Sequence, residues 1–126
     1  MKNSLKKSIK YWDKRPCNIK HSRKKFLSKE YFNNIKRKRY FVEPHIPKFA
    51  NFKKYKRKKV LENRCGIGTD GVEFIKNGAD YTGVEISKKS LNIFEQRIKI
   101  LNLTNKKSKL IFSNAEILKN VPKIKY

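Results

Sequence analysis

The chain has 126 residues, with 34 Lys and Arg against 10 Asp and Glu and a net charge of +24. That length suits one small domain, and with no run of about 18 apolar residues and no apolar stretch after the first lysines it predicts neither a membrane span nor a secretory signal. Cys17 and Cys65 stand far apart without a CxxC or histidine-rich neighbourhood, so a zinc site is not expected and a reduced, cytoplasmic setting is.

Leu5, Ile9 and Trp12 recur at helical spacing and predict a first helix that stops before Pro16. Ser28 can cap a second helix carrying Tyr31, Phe32, Ile35 and Tyr40 on its apolar side. Pro44 and Pro47 break that helix, and Phe49 and Phe52 open a short apolar stretch. Residues 53–59 read as a solvated basic connection. The aromatic residues of this half fall at helical spacing and are expected to be buried.

From Lys59 onward the pattern alternates strand and helix, which predicts a parallel sheet. A strand over residues 59–63 leads into a glycine turn. A helix over 70–77 follows, with Gly78 as its stop. A strand over 81–85 comes next, then a helix capped by Ser87 and running to Leu101. Its stripe of Leu91, Phe94, Ile98 and Leu101 faces the sheet. A third strand over 109–113 ends at Asn114, Ala115 and Glu116. Right-handed crossovers stack these strands in the order 3-2-1 with the first at an edge. The fold class is therefore α/β, a basic helical extension over 1–58 followed by a partial Rossmann-like domain over 59–126. Only the first half of such a sheet is expected, so either the chain is a fragment or something else covers the first strand's edge.

Residues 60–86 carry the functional signal. The first strand ends in an acid, Glu62, and the second ends in another, Glu85. Between them lies the turn of Gly66, Gly68 and Gly71. Glycines allow positive φ and close approach of a ligand to the main chain. The helix that follows starts near Asp70, so its first N–H groups face the turn. Ligands of open parallel sheets bind beyond the carboxyl ends of the strands, where Glu85 can accept the hydroxyl protons of a ribose. Gly66-x-Gly68-x-x-Gly71 also fits a dinucleotide fingerprint. There a pyrophosphate would meet the acid Glu62, an unfavourable pairing that a cationic ligand avoids.

Two acids at two strand ends around a Gly-x-Gly turn resemble the cofactor site of the class I S-adenosylmethionine-dependent methyltransferases. The resemblance runs from about Tyr11 to Tyr126 and is most specific over residues 60–87. The segments Trp12-Asp13-Lys14-Arg15-Pro16-Cys17 and Arg39-Tyr40-Phe41-Val42-Glu43-Pro44-His45-Ile46-Pro47 resemble a helical extension in one bacterial branch of that family. The resemblance implies S-adenosyl-L-methionine as cofactor. It implies a methionine-side loop from Glu62 through Arg64, Cys65 and Gly66 to Gly68, with Asp70 opening the next helix. Glu85 would hold the ribose hydroxyls, Ile86 would pack on the adenine, and Asn114 with Ala115 would contact the adenine amino group.

The chain departs from the family pattern in two ways. The loop reads Glu62-Asn63-Arg64-Cys65-Gly66-Ile67-Gly68 where the family has a glycine at position 64 and an apolar residue at 63. The strands and loops that supply acceptor-binding residues in the family have no counterpart here, so no catalytic base is assigned. His21 and His45 are the only histidines. A catalytically inactive relative is one rival reading.

The charge supplies the other rival. Residues 1–60 carry 22 Lys or Arg against 3 acids (+19), and residues 61–126 carry 12 against 7 (+5). Such a basic half invites RNA. Yet Lys outnumbers Arg 27 to 7, and Arg is the usual bidentate partner of bases and phosphate. With Asn and Ile also abundant, a compositional bias of the whole genome is the favoured account. A small-molecule methyl acceptor is accordingly expected ahead of nucleic acid.

Overall fold

The computed structural model describes residues 3–14, 19 and 22–113. Asn114 and Ala115, like Arg15, Pro16, Cys17 and His21, lie outside the described residues. The first helix, α1 (Asn3–Lys14), turns Leu5, Ile9 and Asp13 inward, though it buries none of its residues fully. The second, α2 (Lys29–Val42), begins where expected, with the Ser28 hydroxyl accepting the Tyr31 N–H at 3.1 Å. This satisfies one of the orphan donors of the first turn. Tyr31, Phe32 and Ile35 are buried on one side of α2.

The prolines act differently from expectation. They do end α2, but Pro44 then caps a further helix, α3 (His45–Ala50), and Pro47 stands inside its first turn. A first turn has no internal acceptors for its N–H groups, so a proline there forfeits nothing. Asn51 closes α3 with φ 45°, and a 3₁₀ turn over Phe52–Tyr55 follows. Part of the connection to the sheet is therefore ordered packing. Phe52 is buried and meets the Phe74 ring edge-on at 4.8 Å, and Tyr55 meets the same ring at 5.8 Å.

Three strands then form a parallel sheet in the order β1-β2-β3: β1 (Lys59–Asn63), β2 (Asp80–Glu85) and β3 (Ser108–Phe112). The crossovers are α4 (Gly71–Lys76) and α5 (Lys88–Ile100). Element order and strand order match the sequence reading, with boundaries shifted by a residue or two. Among the described residues β1 pairs with β2 on one side and has no partner strand on the other.

Two apolar clusters hold the layers together. One lies between the sheet and its crossover helices and is built from Val72, Ile75, Tyr81, Phe94 and Ile98. The other joins Tyr31, Phe32 and Ile35 of α2 to Ile67 of the glycine turn and Ile93 of α5. Not all the aromatic residues are buried, however. Tyr11 and Trp12 on α1, Phe26 before α2, Phe41 on α2 and Phe49 on α3 are exposed. Helical spacing alone does not distinguish a buried stripe from an outward one. Among the described residues no helix is long and apolar enough to cross a membrane.

Candidate functional site

After Asn63 the chain turns away from β1 through three left-handed residues, Arg64 (φ 56°), Gly66 (φ 57°) and Gly68 (φ 81°). The first of these is the position at which the resemblance expects glycine. Its backbone adopts the left-handed geometry with an arginine in place, at a cost of about 1–2 kcal/mol. The Arg64 side chain is exposed. The Cys65 N–H donates to the Val84 carbonyl at 3.0 Å, which keeps the start of the turn tied to β2.

The glycines of the turn serve two purposes. A Cβ added at Gly66 would meet nothing within 4 Å, so the main chain there faces open space. A Cβ at Gly68 would lie 2.2 Å from the Phe94 ring, and one at Gly71 would lie 2.5 Å from the Tyr81 hydroxyl. Those two glycines let α5 and β2 pack against the turn; only Gly66 offers backbone to a ligand. Cys65 is likewise a core residue. Its side chain joins the apolar cluster under the sheet, and burial pushes the thiol well above its ordinary pKa, with Glu62 and Glu85 adding to the effect.

The strand-end acids flank this turn. Glu85 is buried, and its carboxylate is held by three backbone donors: Gly66 N–H at 2.9 Å, Ile86 N–H at 2.9 Å and Ser87 N–H at 3.1 Å. It therefore latches the glycine turn to the start of α5. Ile86 is half-buried beside it. Glu62 is half-buried and accepts the Tyr81 hydroxyl at 2.5 Å. Burial raises its pKa to about 7, against the opposing Tyr81 hydrogen bond, and Asp70 and Glu85 raise it further. Asp70 precedes α4 but does not cap it with its side chain. Arg39 grips its two oxygens at 3.3 and 2.9 Å, and the Tyr40 hydroxyl donates to it at 2.8 Å. Burial and the Asp70 charge push the Tyr40 hydroxyl far above its ordinary pKa, so it stays a donor.

Several residues that shape the site were not read as site residues from the sequence. Arg39 and Tyr40 bind the extension to the head of α4, and the Lys36–Glu73 ion pair at 2.9 Å adds a second tie. Arg97 is 1 % exposed yet has no carboxylate partner among the described residues. Its guanidinium lies 4.8 Å over the Phe32 ring and donates to Ile67 O (3.4 Å), Thr69 Oγ1 (3.0 Å) and Phe32 O (3.3 Å). It thus pins the glycine turn to α2. Burial lowers its pKa to about 10, so it remains a cation at neutral pH. One signal for Arg97 was available: it falls between Phe94 and Ile98, inside the apolar stripe. Tyr81 shares a face with Glu85 by strand alternation, and Gly83 between them leaves room that a Cβ would fill, 2.9 Å from Cys65 Sγ and 3.0 Å from the Tyr81 hydroxyl.

The first helix also reaches the site. Asp13 accepts the Ser87 hydroxyl at 2.6 Å and the Lys89 N–H at 3.4 Å, so α1 ends against the head of α5. His45 opens α3 and is exposed. Among the described residues no group of three or more His, Cys, Asp or Glu is placed to hold a metal.

No protein-family model matches the chain, and no curated protein matches it.

Proposed function

We propose that the glycine turn and the strand-end acids bind the adenosyl group of S-adenosyl-L-methionine and that the chain derives from, and acts as, a methyltransferase. The observation that carries the reading is the Glu85 carboxylate, fixed at the carboxyl end of β2 beside the open main chain of Gly66. In parallel α/β sheets this is where ligands sit. The donor set also fits the ligand's charge. Glu62 and Glu85 both border the turn, an unfavourable setting for a pyrophosphate and a favourable one for a sulfonium and an ammonium group.

The acceptor capacity of Glu85 limits the binding mode. A carboxylate has about four acceptor positions, and three are taken by backbone N–H groups. One ribose hydroxyl can bind without displacing anything; a second requires one backbone N–H to let go. Gly66 N–H is the candidate, because its neighbourhood is open and the other two belong to the start of α5. Ligand binding would then exchange the Glu85 latch for ribose contacts. The bound cofactor supplies an electrophilic methyl group, whose in-line transfer depends chiefly on how the acceptor is positioned.

Titration calorimetry with S-adenosylhomocysteine tests the reading, on the native chain and on Arg64→Gly. Saturable binding is expected in at least one of them. Glu85→Gln should weaken it tenfold or more, since a charge-assisted hydrogen bond is worth about 1.5–3 kcal/mol. Undiminished binding by Glu85→Gln, or no binding by either parent chain, refutes it.

A further inference from the structure

The two oxygens of Glu62 stand in different surroundings. Glu62 lies one residue from the end of β1, and its Oε1 accepts the Tyr81 hydroxyl of the neighbouring strand at 2.5 Å. Its Oε2 makes no hydrogen bond or ion pair among the described residues. The sealed side-chain atoms without a hydrogen bond are Glu73 Oε1 and Arg97 Nε. Glu62 Oε2 is not one of them, so it keeps contact with the outside. One oxygen is thus anchored in the core, and the other can exchange a proton with water.

The groups that face Glu62 decide its charge. Burial holds Tyr81 and Cys65 protonated, each far above its ordinary pKa. Asp70 at the head of α4 and Glu85 at the end of β2 face it with negative charge, and Arg39 of α2 opposes them. That arginine is already engaged by Asp70 and Glu43. Burial is the largest influence on the Glu62 carboxyl and raises its pKa to about 7, against the Tyr81 hydrogen bond. On the acid side of neutrality the group therefore keeps its proton. A cation brought within about 4–6 Å reverses that balance, because it favours the ionised form.

We propose that Glu62 releases its proton as a cationic adenosyl amino acid settles on the glycine turn, so that the ligand's positive charge replaces the proton's. This deepens the methyltransferase reading and rests on it. The carboxyl O–H bond breaks, its electron pair stays on the carboxylate, and the proton leaves to water from Oε2. The Tyr81 hydroxyl keeps its bond to Oε1 throughout, and that bond strengthens once the acceptor is charged. Glu62 is then a specificity-determining residue. A neutral nucleoside gains nothing from an ionised Glu62, so the preference for the charged ligand grows as pH rises.

Titration calorimetry with S-adenosyl-L-methionine between pH 5.5 and 7.0 tests this, on whichever of the native chain and Arg64→Gly binds. The ligand's own ammonium group stays protonated over that range, since an α-amino group titrates at about 7.7–8.0. Affinity should rise about tenfold from pH 5.5 to 7.0. At pH 6.5, buffers of different ionisation enthalpy should report the release of about 0.7 proton per ligand bound. In Glu62→Gln the affinity should change less than about threefold over the same range, with release below about 0.2 proton. Tyr81→Phe removes the hydrogen bond that favours the ionised carboxyl, so it should move the pH dependence upward by about half a pH unit or more. Equal pH dependence in Glu62→Gln and its parent, or a Tyr81→Phe profile that stays in place or moves down, overturns the proposal and leaves the adenosyl reading standing. No binding by either parent chain overturns both.

Discussion

Glu62 should make the protein less stable as pH rises through neutrality, and Glu62→Gln should abolish that loss. The carboxyl group sits at the end of β1 under the Tyr81 hydroxyl, and burial raises its pKa from 4.5 to about 7. In the folded state it therefore holds its proton over a range where the unfolded chain has released it. A raised carboxyl pKa contributes stability that is complete below about pH 4.5 and is lost as pH climbs through 7. At about 1.4 kcal/mol per pKa unit, the loss approaches about 3 kcal/mol by pH 8.5. Glu62 is only half-buried, so that figure is a ceiling. Glutamine retains an oxygen for the Tyr81 hydroxyl and never ionises. Urea unfolding followed by circular dichroism between pH 4.5 and 8.5 measures the difference. Other titrating groups cancel, because only the difference between the two chains is read. The variant should match the native chain at the acid end and exceed it by about 1–3 kcal/mol at pH 8.5. A difference that stays within about 0.5 kcal/mol at every pH refutes the reasoning.

Two further substitutions examine how the turn is built. Arg97→Ala empties a fully buried site and leaves Ile67 O, Thr69 Oγ1 and Phe32 O without their donor, so it should cost about 3–5 kcal/mol in urea unfolding; a loss below about 1 kcal/mol would show that apolar packing alone holds α2 to the turn. Gly68→Ala drives a Cβ to 2.2 Å from the Phe94 ring at φ 81°, whereas Gly66→Ala meets only open space at φ 57°. The first should cost at least about 3 kcal/mol and the second only the backbone strain of about 1–2 kcal/mol, and equal melting temperatures for the two would contradict this division of labour.

The outer edge of β1, without a partner strand among the described residues, gives the charge a structural meaning. Val60 and Leu61 are half-buried in a strand that pairs on one side only, among the described residues. Unpaired edges invite association with other chains. Lys53, Lys54, Lys56, Arg57, Lys58 and Lys59 lead directly into this strand, and so dense a run of cations opposes pairing with a second, equally charged copy.

What the sequence determined by itself is what depends on local repetition. The change from helical spacing to strand–turn–helix alternation located β1, β2, β3 and their crossovers to within a residue or two. Ser28 and Ser87 announced their caps, and Gly78 its stop at φ 87°. Handedness then ordered the strands, because right-twisted parallel strands admit one crossover sense. The two acids flanking the turn were legible for the same reason, since each sits at a strand end that the pattern marks. The tertiary structure decided everything that turns on which side a residue faces and what it meets there. Gly66, Gly68 and Gly71 look alike in the sequence, yet only Phe94 and Tyr81, brought in from α5 and β2, make two of them packing glycines. Asp70 reads as a ligand residue of the turn until Arg39 and Tyr40 arrive from a helix some 30 positions earlier to occupy it. Trp12 and Phe32 both fall at helical spacing among apolar residues, but Phe32 finds Ile67, Ile93 and the Arg97 cation while Trp12 stays 43 % exposed. Spacing along a chain encodes the period of an element, and burial depends on the neighbours that distant segments supply.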